Sequence, residues 1–460
     1  MSYIHSNQYR CTIVRGKSYT EMDDLLNAYA NIVNDICPAT ADEFSSLFNS
    51  KLAVYLGENI TKKTLDNHRT EIVGKLLGMY YKGDGNIIYC SERVIKLLED
   101  SDQPAFFKEL ILKYQFPSGM SKLQTVSELV EKKIKIRQFP FLLNLLKIAD
   151  KENIPITKVD IGYYVLNNLD VLSSIATPNE VLAQIKKDKS KSIVRKIGEH
   201  NSFNDQHINE QLNLLVLANL VYYDEGYVRL NKHEEFIIKK IAAINYAKLE
   251  FDFEQFDLSD QEDRRLAEEA WNKYFASNSE IDSNSFITNS NALTINKIKK
   301  SPINPVKTID NQIELGDEGE EYVYKHEISR VSSVNPRLVN RVKLFGKIRG
   351  LGYDIHSVYA EGANADFAKF IEVKSTKRVT EPGNDFLDTV ILTKNEWSAA
   401  AQHGENYFIY RLYFTNQGVK MFVIKNPFLK SETGLVNIEA ISYRAEFTPK
   451  AGEFLENKYE

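Results

Sequence analysis

The residues of this chain that could do chemistry lie in two short segments of its last third. Asp354 lies in the run GYDI, and Glu372 and Lys374 lie in the run FIEVKST. Glu372 is 18 residues after Asp354. Glu372 and Lys374 are two residues apart, so a β-strand would place both on one face. Two carboxylates that converge repel each other unless a cation or a proton lies between them. Oxygen ligands of this kind suit Mg²⁺ better than Zn²⁺, so the pattern predicts a site for phosphodiester chemistry.

These residue types predict metal-assisted hydrolysis. Asp354 and Glu372 are expected to bind Mg²⁺ together with the main-chain carbonyl of Val373, and Mn²⁺ is expected to substitute. The ion would polarise a phosphoryl oxygen and lower the pKa of a bound water. Lys374 would orient that water or neutralise charge on the phosphate. The alternative interpretation is two ordinary amphipathic strands, with Asp354 capping a turn and Glu372 paired with a lysine at the surface.

The order and spacing of these residues resemble the PD-(D/E)xK nuclease superfamily. Asp354 takes the place of the first aspartate, Glu372 that of the second acid and Lys374 that of the lysine, while Tyr353 replaces the usual proline. The resemblance covers about residues 313–425 and implies a restriction-endonuclease-like α/β domain with a mixed sheet. A later segment, VILTKNEWSAAAQHGENYFIYRL, resembles the end of the same domain, and the residues interpreted there as structural are Thr393, Glu396 and Trp397.

A third catalytic acid is expected on a helix that precedes these strands. In GDEGEEYVYKHE, Gly319-Glu320 opens a helix much as a glutamate does in archaeal Holliday-junction resolvases and their restriction-enzyme relatives. This resemblance favours Glu320, which would bind a second ion or a water in the outer shell of the metal. The neighbouring acids that remain as alternatives are Glu318, Glu321 and Glu327.

Changes in composition along the chain indicate where the domain that positions these residues begins. Serine and asparagine are dense from Ser277 to Gln312, which is typical of an interdomain linker. Apolar residues recur at helical spacing before this stretch, whereas an acidic helix and alternating strands follow it. The predicted fold class is therefore multidomain, with an α-rich N-terminal region and a C-terminal α/β domain. The predicted divisions are residues 1–120, 121–275, 276–312 and 313–460.

Two units that each combine helices with a hairpin recur in the N-terminal region. In the first, helices near Ala41–Leu56 and Thr61–Leu77, with Thr61 as N-cap, precede a hairpin turn at residues 83–86. This order is typical of a winged helix, whose second helix enters the major groove of DNA. A solvated helix start is the alternative interpretation of its basic residues. The residues expected to bind DNA from this helix are Lys62, Lys63, Asn67, His68 and Arg69.

The second unit has a helix near Asp205–Leu220 and a hairpin turn at residues 224–226. A basic stretch from Lys186 to Lys196 lies upstream and would neutralise phosphates, although a solvated helix face would look the same. The chain also has a basic N-terminal arm of a kind that lies in a DNA groove. The residues expected to bind DNA from this helix and the arm are Gln206, His207, Asn209, Arg10 and Arg15.

Segments from residue 8 to residue 220 resemble the recognition region of the BpuJI family of type IIS restriction endonucleases, and the likeness covers most of residues 1–275. The resemblance implies two winged-helix subdomains and an arm that read an asymmetric sequence, CCCGT, from the major groove. It also implies a homodimer formed through the C-terminal domain, and a restriction-modification system implies a cognate DNA methyltransferase in the host. The segments are QYRCTIVRGKS, LLNAYANIVNDICP, TKKTLDNHRTEIVGKL, EDSDQPAFFKEL, KIRQFPFLLNLL and HINEQLNLLVLANL.

Composition limits the class of function. Lysine and arginine number 58 and aspartate and glutamate 63, giving a net charge of −5, so attraction to DNA must come from local clusters. The three cysteines have no CxxC spacing, which excludes a recognisable zinc site or disulfide framework. No apolar run has the length of a signal peptide or a membrane span. The sequence therefore predicts a cytoplasmic protein that does not bind membranes, and the resemblance to restriction endonucleases implies a bacterial one.

Together these features predict a site-specific, Mg²⁺-dependent restriction endonuclease of type IIS-like design, which binds double-stranded DNA and cuts at a distance set by the linker. Two alternatives stay open. One is a structure-selective nuclease of junction or repair type, and the other is a catalytically inactive, sequence-specific DNA-binding regulator. The complete set of two acids and a lysine favours an active enzyme.

Overall fold

The chain divides into two compact units. The first spans Met1–Asp23 and Tyr29–Ala292, and the second spans Asp24–Ala28 and Leu293–Glu460. Within the part of the chain that the structure describes, no helix has both the length and the apolar character needed to cross a membrane. The structure is a computed structural model, and it describes residues 10–56, 60–195, 202–288, 290–293, 315–346, 351–384, 386–439 and 444–455.

The first unit is built mainly from helices, as the sequence predicts. Its first helix begins with a capping box in which the side chains of Ser18 and Glu21 each accept the other residue's backbone N–H. Apolar side chains such as Phe107 and Leu142 are fully buried between the helices. The helices up to Leu293 are α1 (Tyr19–Ile36), α2 (Ala41–Leu56), α3 (Lys62–Asn67), α4 (Glu92–Asp100), α5 (Gln103–Lys113), α6 (Leu123–Glu131), α7 (Gln138–Lys151), α8 (Lys158–Ile161), α9 (Leu169–Leu172), α10 (Pro178–Ser190), α11 (Ser202–Leu217), α12 (Glu235–Ala242), α13 (Gln261–Ala276) and α14 (Ser290–Leu293).

The first predicted combination of helices and hairpin is present in the expected order. Helix α3 begins after Thr61, whose hydroxyl accepts the N–H of Thr64 at 3.3 Å, so the predicted N-cap is confirmed. The chain then continues as a π-helix from His68 to Leu76. The strands that follow and flank these helices are β1 (Ala39–Thr40), β2 (Tyr80–Lys82) and β3 (Ile87–Cys90). They form an antiparallel sheet in the order β1-β3-β2.

The second combination has α11 followed by a hairpin of β4 (Val221–Asp224) and β5 (Tyr227–Leu230). The two residues of the turn, Glu225 and Gly226, both have positive φ, at 50° and 83°. A two-residue turn of this kind matches the right-handed twist of the strands it joins. The turn predicted from the run Asp-Glu-Gly is therefore confirmed.

Residues 277–288 of the predicted linker are held against the first unit. The buried ammonium of Lys108 donates to the carbonyl of Phe286 at 3.2 Å and to the hydroxyl of Thr288 at 2.9 Å, and the Phe286 ring is itself buried. The prediction of a linker is therefore wrong for these residues, because a buried charge and a buried ring fix them to α5. From residue 294 on, the predicted linker lies outside the described residues.

The second unit contains a mixed sheet, as predicted for an α/β domain. Its strands are β6 (Lys343–Leu344), β7 (Ile355–Val358), β8 (Ala368–Lys377), β9 (Asp388–Ile391), β10 (Tyr407–Thr415), β11 (Gly418–Lys425), β12 (Val436–Glu439), β13 (Arg444–Phe447) and β14 (Glu453–Leu455). Among the described residues, six strands pair in the order β14-β11-β10-β8-β7-β6. Strands β8 and β10 run parallel and the other neighbours antiparallel. A smaller antiparallel sheet has the order β12-β13-β9.

Helices on the two faces of the main sheet fix the orientation of β8. Among its described residues, the helices of this unit are α15 (Leu315–Val334), α16 (Lys394–His403) and α17 (Pro427–Glu432). Ile371 of β8 belongs to an apolar cluster with Val323 of α15, whereas Phe370 packs against a cluster that includes Ala400 of α16. Since side chains alternate along a strand, odd-numbered residues of β8 face α15 and even-numbered residues face α16.

Candidate active site and nucleic-acid interface

Glu372 and Lys374 lie on the face of β8 that is directed towards α16. The Nζ atom of Lys374 is 2.7 Å from Oε1 of Glu372. Only 3% of the Glu372 side chain is exposed, compared with 22% of the Lys374 side chain. The carboxylate therefore lies at the bottom of the site, and the ammonium faces its opening.

Asp354 meets this pair from the residue that precedes β7. Its N–H donates to the carbonyl of Ile371 at 2.9 Å, and its own carbonyl accepts the N–H of Phe345 at 2.6 Å. Its side-chain Oδ2 accepts the N–H of Val373 at 2.7 Å. These bonds join the predicted first acid to the strand that carries the second acid and the lysine. The three residues that the sequence analysis singled out are thus neighbours in the fold.

The carbonyl of Val373 points to the same side of β8 as Asp354. The N–H and C=O of one residue in an extended strand point the same way, and the N–H of Val373 faces Asp354. The pairing of β7 with β8 ends at Ile355 and Ile371. The Val373 carbonyl therefore lies beyond the last paired residues of β7 and β8, on the side of Asp354.

Asp354, Glu372 and Lys374 form one cluster, and burial dominates its electrostatics. It raises the pKa of Glu372 well above its usual value, and the carboxylates of Asp354 and Glu396 act in the same direction while Lys374 opposes them. Burial also raises the pKa of Asp354. Burial would lower the pKa of Lys374, but the two neighbouring glutamates raise it above the usual value. Acids in such surroundings are stabilised by a proton or by a cation.

The donor atoms of the cluster are of the type that Mg²⁺ takes. The carboxylates of Asp354 and Glu372 and the carbonyl of Val373 are all oxygen donors, and two of them are acids whose burial favours neutralisation. In the described part of the chain, no three His, Cys, Asp or Glu side chains are grouped as a ready-made metal site. The ammonium of Lys374 lies against the carboxylates of Glu372 and Glu396.

Glu396 belongs to this cluster, although its sequence motif predicts only a structural role. Its Oε2 lies 3.0 Å from Nζ of Lys374 and also accepts the N–H of Thr393 at 2.9 Å. The capping box that starts α16 has the structural role expected of it. The contact with Lys374 was missed, because the motif T-x-x-E predicts a helix start without showing which strand that helix start faces.

Glu320 lies on α15, which packs on the other face of the sheet. Helix α15 comes so near to β8 that a Cβ at Gly319 would overlap the hydroxyl of Ser375. The carboxylate of Glu320 lies against Gly346, so a Cβ added to Gly346 would collide with that carboxylate. The residue before Gly346, Phe345, donates its N–H to the Asp354 carbonyl. Glu320 is therefore placed next to the segment that holds the first acid.

Two of the alternative acids are engaged elsewhere. Glu327 is fully buried and accepts from Arg330 at 2.7 Å, with the ammonium of Lys369 at 3.3 Å. Lys369 is an odd-numbered residue of β8, so this network lies on the α15 side, away from the face of Lys374. Glu321 forms an exposed ion pair with Lys325 at 2.7 Å. Glu327 thus has a structural position, and Glu321 a surface one.

Three of the residues expected to bind DNA lie on the exposed side of α3. The side chains of Lys62, Lys63 and Asn67 are all exposed in the first unit. Thr61 caps this helix start, so the first turn is held in one conformation. These three side chains are therefore exposed, as predicted from the sequence.

The next two residues of the same segment are not placed for such contacts. His68 is 3% exposed, and its Nδ1 lies 2.5 Å from the Tyr29 hydroxyl. Burial also lowers the pKa of His68 to about 4, so the ring is neutral at physiological pH. Arg69 is half-buried and donates to the side chain of Asn49 at 3.0 Å. Direct readout of DNA by His68 is therefore not expected, because the apolar side of the helix faces the core at this position.

The N-terminal arm lies along α11. The side-chain N–H of Gln211 donates to the carbonyl of Cys11 at 2.8 Å, and the N–H of Gly16 donates to Glu210 at 3.1 Å. His207, at 7% exposure, is on the core side of this helix and does not face the surface as predicted. Of the other residues predicted to bind DNA from the arm and α11, Arg15 is exposed. Half-buried are Arg10, Gln206 and Asn209.

Acids offset part of the basic stretch upstream of α11. Lys186 pairs with Glu152 at 2.7 Å, and Arg195 pairs with Asp188 at 2.7 Å. These pairs reduce the positive charge that this surface offers to phosphate. The last residue of the predicted stretch, Lys196, lies outside the described part of the chain.

Comparison with known proteins gives matches for both units. A sequence profile of the family described as "Restriction endonuclease BpuJI - N terminal" matches residues 3–272. A profile described as "Protein NO VEIN, C-terminal" matches residues 319–424. A search of curated proteins gives no match.

A solved structure is similar to the first part of the chain. It is described as "Crystal structure of pyrene- and phenanthrene-modified DNA in complex with the BpuJ1 endonuclease binding domain". It is 48% identical, has a TM-score of 0.57, and the match covers 60% of this chain and 100% of that one. The resemblance to a BpuJI-like recognition region, stated from the sequence, is confirmed. By the profile that matches more than half of its length, the chain belongs to the family of the N-terminal region of restriction endonuclease BpuJI.

Proposed function

We propose that this chain is a site-specific, Mg²⁺-dependent type II restriction endonuclease of IIS-like design, which hydrolyses phosphodiester bonds of double-stranded DNA near a short asymmetric sequence such as CCCGT. The observation that carries the proposal is the meeting of Asp354, Glu372 and Lys374 on a mixed sheet in a chain of this family. The solved relative is a complex with DNA, which supports DNA as the partner.

The residues of the cluster would divide the work of hydrolysis. When bound, Mg²⁺ supplies Lewis-acid polarisation of the scissile phosphate, and Asp354, Glu372 and the Val373 carbonyl are the groups that would hold it. Lys374 keeps its proton because two carboxylates flank it, so it would neutralise charge that develops on the phosphate. Glu320 would hold a water or a second ion at the outer edge of the site.

Recognition would use the exposed surfaces of the first unit as two winged-helix subdomains with an arm. In winged helices and related motifs, residues near the start of the recognition helix contact base edges. Lys62 and Lys63 occupy that position on α3, Asn67 is the exposed last residue of the same helix, and Arg15 is an exposed residue of the arm. Lysine and arginine pair with guanine or phosphate, and asparagine pairs with adenine.

Replacing Lys62 and Lys63 together by alanine is expected to weaken binding to all DNA sequences. Each lysine that contacts a phosphate releases about one counterion, so the slope of log K against log salt should become shallower by about 1 per lysine. Fluorescence anisotropy with a labelled duplex at several salt concentrations measures this slope. The double replacement by arginine keeps both charges and should keep the slope. An unchanged slope in the alanine variant would remove these lysines from the interface.

The proposal as a whole is tested by sequencing the ends that the purified full chain produces from a plasmid library with randomised inserts, with and without Mg²⁺. Metal-dependent ends at a fixed distance from one asymmetric motif are the expected result, and the motif gives the target directly. Scattered ends would replace the proposal by a structure-selective nuclease. Sequence-specific binding without cleavage would replace it by an inactive regulator.

Cleavage of both strands requires more than one event, since a single cluster of this kind cuts one strand. We infer that two chains pair through residues 313–460, so that two clusters act on one duplex. A restriction enzyme of this kind would also require a cognate DNA methyltransferase that protects the host sequence. Cleavage rates that rise with the square of enzyme concentration would support pairing, and a linear dependence would replace it by sequential nicking.

A further inference from the structure

Lys374 has two carboxylate partners, and they come from different elements. Glu372 on β8 is 2.7 Å from its Nζ, and Glu396 in the first turn of α16 is 3.0 Å from it. Both acids are largely shielded from water, with 3% and 15% of their side chains exposed. Charge-assisted hydrogen bonds of this length are strong, and low exposure strengthens them further.

The two partners, Glu372 and Glu396, would have different roles in catalysis. Under the proposed function, Glu372 gives its carboxylate to Mg²⁺, and a cation cannot share that carboxylate with an ammonium without repulsion. Lys374 must then keep a negative partner elsewhere, because an unpaired and partly buried ammonium is costly. Glu396 is the group within reach.

We propose that Glu396 is a positioning residue that holds Lys374 when Glu372 binds the metal. This inference rests on the proposed function. Glu396 would draw the ammonium away from the metal ligands and keep it directed at the scissile phosphate. It would thereby raise the affinity of the site for Mg²⁺ and the rate at saturating Mg²⁺ together.

The capping role of Glu396 can be separated from this role by substitution. A capping box needs only an acceptor at the third helical position, and glutamine serves as well as glutamate. The ammonium of Lys374 instead needs a negative charge. Glu396→Gln therefore removes the negative charge next to Lys374 while it keeps the acceptor for the N–H of Thr393. Thr393→Ala removes the hydroxyl half of the cap while it keeps the carboxylate.

The experiment compares these variants in the full chain with two readouts. Isothermal titration of the DNA-free protein with Mg²⁺ or Mn²⁺ measures metal affinity, and single-turnover cleavage over a range of Mg²⁺ concentrations measures the maximum rate. Glu396→Gln is expected to lose about tenfold to a hundredfold in both metal affinity and maximum rate, as is usual when a partner of a metal-site residue is removed. Glu396→Asp keeps the charge but is one methylene shorter, so a loss of maximum rate in this variant would support positioning over a general effect of charge.

Two controls have a defined outcome. Thr393→Ala should lower the melting temperature but leave metal affinity within about twofold, since its effect is limited to the helix start. Glu180→Gln makes the same change in the same motif of α10 and should change neither readout.

Wild-type affinity and maximum rate in Glu396→Gln would overturn the inference. A wild-type protein that binds the metal but never cuts DNA would overturn the proposed function, while the titration would still report on Glu396.

Discussion

Replacing Asp354 by asparagine is expected to lower the rate of DNA cleavage by about a hundredfold to a thousandfold, with DNA affinity unchanged. Asparagine has the same shape, and its side-chain oxygen can accept the Val373 N–H that Asp354 accepts at 2.7 Å. The substitution therefore removes a negative metal ligand without removing the bond that ties this residue to β8. Burial raises the pKa of Asp354, so a neutral side chain should not unfold the protein.

This result is measured by single-turnover cleavage of a plasmid together with binding of a labelled duplex. Asp366→Asn is the matched control, because it makes the same change at an exposed residue of the same unit and should cut at the wild-type rate. Lys374→Ala should lose cleavage like Asp354→Asn and keep DNA binding. Cleavage by Asp354→Asn at the wild-type rate would show that the site lies elsewhere.

Replacing Glu327 by glutamine is expected to lower the free energy of unfolding of the second unit by about 3–5 kcal/mol. Glu327 is fully buried and lies against the cations of Arg330 and Lys369, at 2.7 and 3.3 Å. Ser357 also donates to it, at 2.6 Å. Glutamine would leave two positive charges in the interior without their carboxylate, and removing one partner of a buried pair costs more than the pair contributes.

The loss should depend on pH in a defined direction. Burial would raise the pKa of Glu327, but Lys369 and Arg330 beside it lower the pKa well below the ordinary value of 4.5. A carboxyl with a lowered folded-state pKa contributes its full stability above the unfolded-state pKa, and this contribution is lost as the pH falls through the folded-state pKa. The gap between wild type and Glu327→Gln should therefore be full at neutral pH and shrink below about 4.5.

Chemical denaturation of the full chain at several pH values measures this gap. Glu321→Gln is the control, because it breaks an exposed pair with Lys325 on the same helix and should change stability by no more than about 0.5 kcal/mol. A gap that stays constant into acid would show that the charge of Glu327 is not what stabilises the network.

The local sequence pattern was sufficient to predict the helices, strands and turns and much of the cluster. The hairpin turn at Glu225 and Gly226 and the N-cap at Thr61 followed from residue type alone, because turns and caps are decided by a few neighbouring residues. The spacing of Glu372 and Lys374 likewise fixed their common face of β8, since the period of a strand is two.

Helix periodicity was a weaker guide to exposure. Lys62, Lys63 and Asn67 are exposed as expected, whereas His68 and His207 are buried. A polar residue on a helix faces water or the core according to what packs on that helix. For His68 that neighbour is Tyr29, which lies 39 residues earlier in the chain and could not be identified from the local sequence.

The sequence by itself determined the two-part organisation, the family of the first unit, and the acids and lysine that form the cluster. Only the tertiary structure decided which groups act on them. In the structure, Glu396 pairs with Lys374, and Glu327 is buried in a network with Lys369. Residues 277–288 pack on the first unit. The physical reason is that the strength of a charge pair depends on distance and burial, and both are set by the packing of segments that are far apart in the chain.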